Sequence, residues 1–229
     1  MHPSIVVIIP AFDEEKSITS VILDIPKLLV TEIIVVDNNS KDQTAAVAKT
    51  SGATVLSEKE QGYGAACLKG MEYLLSMQHK PAIVVFMDGD YSDYGEQLPD
   101  VIQPILDNEA DMVIGSRALG KRERGSMTFP QVFGNWLATS LLRWIYKTKY
   151  TDLGPFRAIR YDSLIQLDMK DRNYGWTVEM QLKAAKQKIR ICEVPVNYRV
   201  RIGVSKVSGT FKGTVMAGYK ILTTIFKYI

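Results

Sequence analysis

Two carboxylates separated by a single glycine, Asp88-Gly89-Asp90, directly follow the apolar run Ile83 to Met87. At the end of a buried strand, with a glycine that lets the turn bend, both side chains can reach one hard cation. A divalent ion held there neutralises a diphosphate and stabilises a departing phosphate. An isolated pair of this kind is more often a solvated acidic turn. Three further polar clusters argue otherwise: Pro10-Ala11-Phe12-Asp13-Glu14, Asp37-Asn38-Asn39-Ser40 and Gly115-Ser116-Arg117. Each of them also ends a β-branched run, so all four are expected along one sheet edge.

The elements that must position these clusters are legible as alternating patterns. Ile5 to Ile9, Ile33 to Val36, Thr54 to Leu56, Ile83 to Met87 and Met112 to Ile114 are continuous apolar runs, as expected of strands buried on both faces. Between them lie amphipathic stretches, Glu14 to Leu29, Lys41 to Thr50, Ala65 to Met77 and Glu96 to Asn108. Ser40 with Gln43 reads as a capping box for the second of these, and Gly95 precedes the fourth. Strands alternating with helices of this length predict an α/β fold with a doubly wound, mainly parallel sheet flanked by helices. Ligands of such sheets bind at the carboxyl ends of the strands, where the four clusters fall. Further on, Phe129 to Tyr146 and Tyr174 to Gln187 read as helices, Phe156 to Arg160 as a strand and Ile189 to Val200 as extended chain.

With 229 residues, 46% hydrophobic and 23% charged, the chain is long enough for one large core and short for two. A single domain is expected over residues 1–229, with a regular half at 1–117, a less regular half at 118–210 and an amphipathic helix at 211–229. A net charge of +3 is too mild to point to nucleic acid. The two cysteines, Cys67 and Cys192, lack metal-ligand spacing and read as reduced, buried thiols. No apolar run approaches the ~20 residues that span a bilayer, and no signal segment precedes the first strand. The expected location is cytoplasmic, with peripheral attachment at the inner face of a membrane as an option.

Taken in order, the motifs resemble those of the family-2 glycosyltransferases with the GT-A fold. Pro10-Ala11-Phe12-Asp13-Glu14 is similar to that family's opening Pro-x-Tyr/Phe-Asn/Asp-Glu. Val36-Asp37-Asn38-Asn39-Ser40-Lys41-Asp42-Gln43-Thr44 resembles its second motif, Gly62-Tyr63-Gly64-Ala65-Ala66 its glycine-rich turn, and Asp88-Gly89-Asp90 its D-x-D. The resemblance implies a metal-dependent inverting hexosyltransferase that uses Mg2+ or Mn2+ and a nucleotide diphosphate sugar. It places Pro10, Ala11, Phe12, Glu14, Asp37, Asn39 and Gly64 around the nucleotide. Asp88, Gly89 and Asp90 would meet the diphosphate, with Asp88 and Asp90 on the metal and Asp90 counted among the catalytic residues.

Gly115-Ser116-Arg117, Thr151-Asp152 with Phe156-Arg157, Glu193-Val194-Pro195 and Gly203-Val204-Ser205-Lys206 are similar to the dolichyl-phosphate mannose and glucose synthase branch. That likeness makes Arg117, Arg201, Ser205 and Lys206 candidates to hold donor or acceptor phosphates. It also implies a polyprenyl phosphate acceptor, and a uridine nucleotide over a guanosine one. Ser92 stands where relatives often carry a metal-contacting glutamine, and Gln131 where they carry an arginine. Lys121, Arg122 and Arg124 are the nearest substitutes for that arginine.

A phosphate acceptor is already an anion, whereas a hydroxyl acceptor needs a base, for which Glu179 is the candidate. An exposed helical glutamate paired with Lys183 is its plainer reading. At the C-terminus, Phe211, Val215, Leu222, Ile225, Phe226 and Ile229 share one helical face beside Lys212, Lys220 and Lys227. Such a helix suits a membrane surface, the core or a second subunit of an oligomer.

Other classes fit less well. A sugar nucleotidyltransferase would carry a basic, glycine-rich loop after the first strand, where this chain is acidic and glycine-free. A dinucleotide oxidoreductase would carry G-x-G-x-x-G there. A non-catalytic binding relative would have no use for intact Asp88 and Asp90.

Overall fold

The computed structural model describes residues 3–203 and 211–228, without the side chains of 211–217 and 221. Seven strands form one sheet: β1 (Ile5–Ala11), β2 (Glu32–Asp37), β3 (Thr54–Ser57), β4 (Ile83–Phe86), β5 (Met112–Ser116), β6 (Arg157–Arg160) and β7 (Ile191–Pro195). Their spatial order is β3-β2-β1-β4-β6-β5-β7. β1 pairs in parallel with β2 and β4, β2 with β3, and β5 with β7. Among the described strands β6 alone runs antiparallel, wedged between β4 and β5. The strand order reverses between β1 and β4, and the loops leaving those two strands diverge to open a crevice.

Among the described residues, eight α-helices flank the sheet: α1 (Ile18–Asp24), α2 (Thr44–Thr50), α3 (Tyr63–Ser76), α4 (Leu98–Leu106), α5 (Phe129–Tyr146), α6 (Tyr161–Gln166), α7 (Trp176–Lys186) and α8 (Phe211–Lys227). Alternate residues of each central strand face opposite layers. Val6 and Ile8 pack with Leu74 of α3, Leu142 of α5 and Met180 of α7. Val7 and Ile9 pack with Ile22 of α1, Ala48 of α2 and Ile102 of α4. Burial on both faces explains why β1 reads as an unbroken apolar run, and each such side chain contributes ~1.5–3 kcal/mol.

The strand runs, α5 and the mainly parallel sheet match expectation. The first two helices are shorter than their patterns: residues 14–17 and 25–29 lie outside α1, and 41–43 outside α2. Ser40 does not cap α2: its Oγ accepts from the Asp13 N–H at 3.0 Å. Gly95 opens a short 3-10 turn, and α4 begins at Leu98. Both cysteines are free thiols; Cys67 is buried and Cys192 only half-buried.

Candidate active site

The loops after β1 and β2 are laced to each other. The Glu14 N–H donates to Thr44 Oγ1 at 2.7 Å, Glu15 N–H to Asp42 Oδ2 at 3.2 Å, Lys41 N–H to Asp13 Oδ1 at 2.7 Å and Gln43 N–H to Glu15 Oε2 at 3.0 Å. Ser17 Oγ donates to the Gly89 carbonyl at 2.8 Å, which ties this pair of loops to the acidic turn after β4. The Glu14 carboxylate lines the crevice, its Oε2 accepting from Ser17 Oγ at 2.9 Å.

The crevice encloses a cavity of about 500 Å³, lined by Pro10, Ala11, Phe12, Glu14, Asn38, Gln61, Gly62, Tyr63, Asp88, Gly89, Asp90, Asn173, Tyr174 and Arg201. That volume lies within the range of small-molecule sites. Its acidic end is dense in negative charge. Asp90 is buried, and its Oδ1 accepts from the Ser92 N–H at 2.9 Å. Asp93 is buried behind it and accepts from the Asp88 N–H at 3.2 Å. Asp88 Oδ1 and Asp93 Oδ1 are buried without a hydrogen-bond partner.

Burial, then the charges of Asp90 and Asp93, hold the Asp88 carboxyl well above the usual carboxylate range. Burial and the Asp90 charge push Asp93 up to about 7. Desolvated, mutually repelling carboxylates with orphan oxygens fit a divalent cation. Among the described residues, no three acidic, imidazole or thiol groups form a ready-made cage. An ion held by one or two carboxylates and completed by phosphate oxygens and water needs none.

Arg201 closes this end, with Nη1 3.0 Å from Asp90 Oδ2 and Nη2 3.1 Å from Glu14 Oε1. It is delivered by a stretch of chain pinned along the acidic turn. Ile202 N–H donates to the Asp90 carbonyl at 3.0 Å and Arg199 N–H to that of Ser92 at 3.0 Å. The Arg199 guanidinium lies 3.3 Å over the Tyr91 ring, 4.2 Å over that of Tyr94, and pairs with Asp24.

The expected site residues divide. Pro10, Ala11, Phe12, Glu14, Asp88, Gly89, Asp90 and Arg201 line one cavity. Asp37 pairs in register with Ala11 and holds a buried Oδ1 without a partner. Asn39 is not on the wall: it is exposed, with φ at 65°, and serves the turn. Its neighbour Asn38 takes the place, donating to the Glu58 and Glu60 carbonyls and accepting from Gly62 N–H at 2.7 Å. Gly64 lies beneath the wall, where a Cβ would meet the Asp171 carbonyl oxygen at 2.0 Å.

Arg117, expected at a phosphate, lies off the cavity. Its Nε and Nη2 bind the two Asp152 oxygens at 2.8 and 2.6 Å, and its guanidinium stacks 5.0 Å from the Tyr198 ring centre. The pair is buried, and the Arg117 charge, outweighing desolvation, holds Asp152 below its ordinary value.

Glu179 also differs from the expected base, and it is not exposed. Its carboxylate is 1% exposed and accepts from the Lys170 and Asp171 N–H groups, from Tyr228 Oη at 2.6 Å and from Lys183 at 2.9 Å. Burial pulls its pKa up, but these donors prevail and lower it. The carboxylate braces the 168–175 segment against α8. Ser92 steadies Asp90, and Gln131 caps α5 together with Thr128. Ser205 and Lys206 lie outside the described residues.

Gln61, Asn173, Tyr174 and Arg199 were not anticipated. Gln61 adjoins the glycine-rich turn and could have been included with it. Asn173 and Tyr174 arrive from the loop before α7, which begins at Trp176 and not, as the pattern suggested, at Tyr174. They reach the cavity because Gly62 and Gly64 let α3 sit against backbone; the Ala65 N–H donates to the Arg172 carbonyl at 2.9 Å.

A crevice at the switch point of a mainly parallel sheet, closed by an acidic turn after β4, defines a GT-A-like transferase fold. The model of glycosyl transferase family 2 matches residues 6–168, and the chain belongs to that family. It is a glycosyltransferase. An uncharacterized glycosyltransferase of Mycobacterium bovis is 33% identical, over 93% of this chain and 94% of its own length. The undecaprenyl-phosphate mannosyltransferase of Micrococcus luteus is 28% identical, over 91% of this chain and 89% of its own, which agrees with the polyprenyl-phosphate branch seen in the motifs. Among solved structures, glucosyl-3-phosphoglycerate synthase of Mycobacterium tuberculosis, in complex with Mn2+, UDP and phosphoglyceric acid, superposes with a TM-score of 0.78. It is 23% identical, and the match covers 99% of this chain and 78% of that one. No described helix is long and apolar enough to cross a membrane.

Proposed function

We propose that this chain is a metal-dependent, inverting hexosyltransferase that takes its sugar from a uridine diphosphate sugar and places it on a polyprenyl phosphate. The observation that carries the donor half is the acidic end of the cavity, where Asp88 and Asp90 line the wall and orphan carboxylate oxygens are buried. Asp88 and Asp90 would hold Mg2+ or Mn2+, which neutralises the diphosphate as the sugar departs. Pro10, Phe12, Asn38 and Gln61 line the same cavity, where the base and ribose would rest. Asn38 and Gly62 keep its wall in place, and Arg201 presents a guanidinium to the phosphates. The solved synthase named above holds Mn2+ and UDP together, which supports the same pairing here.

On the acceptor side, α5 carries Phe129, Phe133 and Trp136 at 81%, 49% and 60% exposure, with neighbouring rings 6.4 and 5.8 Å apart. Lys121, Arg122 and Arg124 stand exposed on the loop before it. Aromatic rings beside basic side chains suit an anionic membrane surface, where a lipid phosphate would be met. A phosphate oxygen attacks without a base, in keeping with a Glu179 whose carboxylate is occupied elsewhere.

The test is calorimetry with UDP and GDP, with and without Mn2+, on the wild type and Asp90→Asn. It is joined by transfer from a labelled donor to short-chain polyprenyl phosphate. UDP binding that requires metal and fails in the variant supports the donor reading; equal, metal-free binding by both proteins overturns it. Transfer to a hydroxyl compound alone, dependent on Glu179, would remove the lipid acceptor.

A further inference from the structure

Arg201 is placed as a cation would be. Its two terminal nitrogens reach separate carboxylates, Asp90 and Glu14, which belong to different loops. Its Nε is buried without a partner, so the guanidinium is not locked from behind. Among the described residues it is the one cation in contact with Asp90. The backbone on either side, by contrast, is fixed: Ile202 N–H is on the Asp90 carbonyl, and Arg199 is sandwiched by Tyr91 and Tyr94. A side chain free to turn on an anchored backbone has two stations within reach. One is the acidic pair, the other whatever anion enters the crevice beside it.

We infer that Arg201 is a resident counter-cation of the donor site, which sits on Asp90 in the empty enzyme and transfers to the diphosphate when metal and nucleotide arrive. The inference rests on the donor reading given above. A bare divalent ion approaching Asp88 and Asp90 meets a positive charge already seated on one of its ligands. A nucleoside diphosphate removes that opposition by offering the guanidinium planar, bidentate-ready phosphate oxygens. Metal and nucleotide therefore bind with positive coupling, and Arg201 carries part of it; by linkage each ligand tightens the other by the same factor. The enzyme refuses free metal but accepts the metal–nucleotide pair.

The measurement is Mn2+ affinity, read from the electron paramagnetic resonance of free Mn2+, without and with saturating UDP. It is made on the wild type, Arg201→Gln and Arg201→Lys, each checked for a native melting transition. The wild type should bind bare Mn2+ weakly and gain ~100-fold or more from UDP. Arg201→Gln should bind bare Mn2+ about tenfold tighter and lose at least tenfold of the coupling. Arg201→Lys, which keeps the charge but cannot span both carboxylates, should fall between them, and it decides the matter if the glutamine variant does not fold. Unchanged or weaker bare-metal binding in Arg201→Gln, with wild-type coupling, overturns the inference and leaves the donor reading standing. A wild type that binds no Mn2+ even with UDP overturns both.

Discussion

Replacing Gly64 by alanine adds one methyl group where two backbones nearly touch. The new Cβ would lie 2.0 Å from the Asp171 carbonyl oxygen and 2.8 Å from the carbonyl carbons of Asp171 and Arg172. Nothing flexible is in the way, so α3 and the 171–173 segment must separate by roughly 1 Å, an overpacking that costs ~1–3 kcal/mol. The bonds from Ala65 N–H to Arg172 and from Gly64 N–H to Asn173 lengthen together, at ~0.5–1.5 kcal/mol each. Better helix propensity returns ~1 kcal/mol. The net loss is about 3 kcal/mol, or ~6–12 °C in melting temperature for a chain of this size.

The same displacement moves Asn173 and Tyr174 on the cavity wall, so metal-dependent UDP affinity should fall about tenfold, ~1.4 kcal/mol. Gly134→Ala is the matched control. It lies within α5, an added Cβ meets nothing within 4 Å, and a helical glycine replaced by alanine gains ~0.5–1 kcal/mol. Calorimetric melts and UDP titrations of both variants read the two effects separately. Wild-type melting and binding in Gly64→Ala, or an equal loss in Gly134→Ala, would refute the backbone-contact argument.

Other consequences are as direct. Arg117→Ala should destabilise the fold by ~3–5 kcal/mol in urea melts, because it strands a buried Asp152 carboxylate; a selective rise in KM at full stability would instead return Arg117 to the substrate. Glu179→Gln should lose ~1–3 kcal/mol of stability while keeping most transfer to a lipid phosphate. The Glu179 pKa is lowered on folding, so its stabilisation is complete above the ordinary value of 4.5 and vanishes as pH falls through the lower folded value. The gap between wild type and variant should therefore be full at pH 7 and narrow under acid. Phe133→Glu on the exposed stripe should leave stability within ~0.5 kcal/mol and UDP binding unchanged. Its sedimentation with anionic vesicles should drop tenfold or more, and unaltered sedimentation would detach α5 from the membrane reading.

The sheet was legible because burial on both faces writes continuous β-branched runs, and β1, β2 and β4 needed no more than that. The antiparallel direction of β6 was not, since Arg157 to Arg160 carries no directional signal. Of the site, Glu14, Asp88 and Asp90 were readable from type and position after strands. Arg117 and Glu179 misled because a charge shows its sign in sequence but not its partner. Asp152 lies 35 residues from Arg117, and the Tyr228 hydroxyl 49 residues from Glu179. Asn39 and Asn38 were exchanged because a turn decides which of two adjacent amides faces inward, and the positive φ of Asn39 is a property of the backbone alone.

The wedge of β6 between β4 and β5 orders events on the ribosome. A nascent chain that has reached residue 117 holds β5 with neither of its ladder partners, since β6 and β7 both come later, and β4 with one edge bare. Such edges invite pairing with other chains until they are filled. The first half can assemble its β1, β2 and β3 neighbours early, but the acidic turn after β4 is flanked only when residues 157–160 insert and residues 199–202 fold back along it. Translation thus finishes the crevice last. A chain truncated anywhere before Arg201 lacks part of that flank and should show no residual activity.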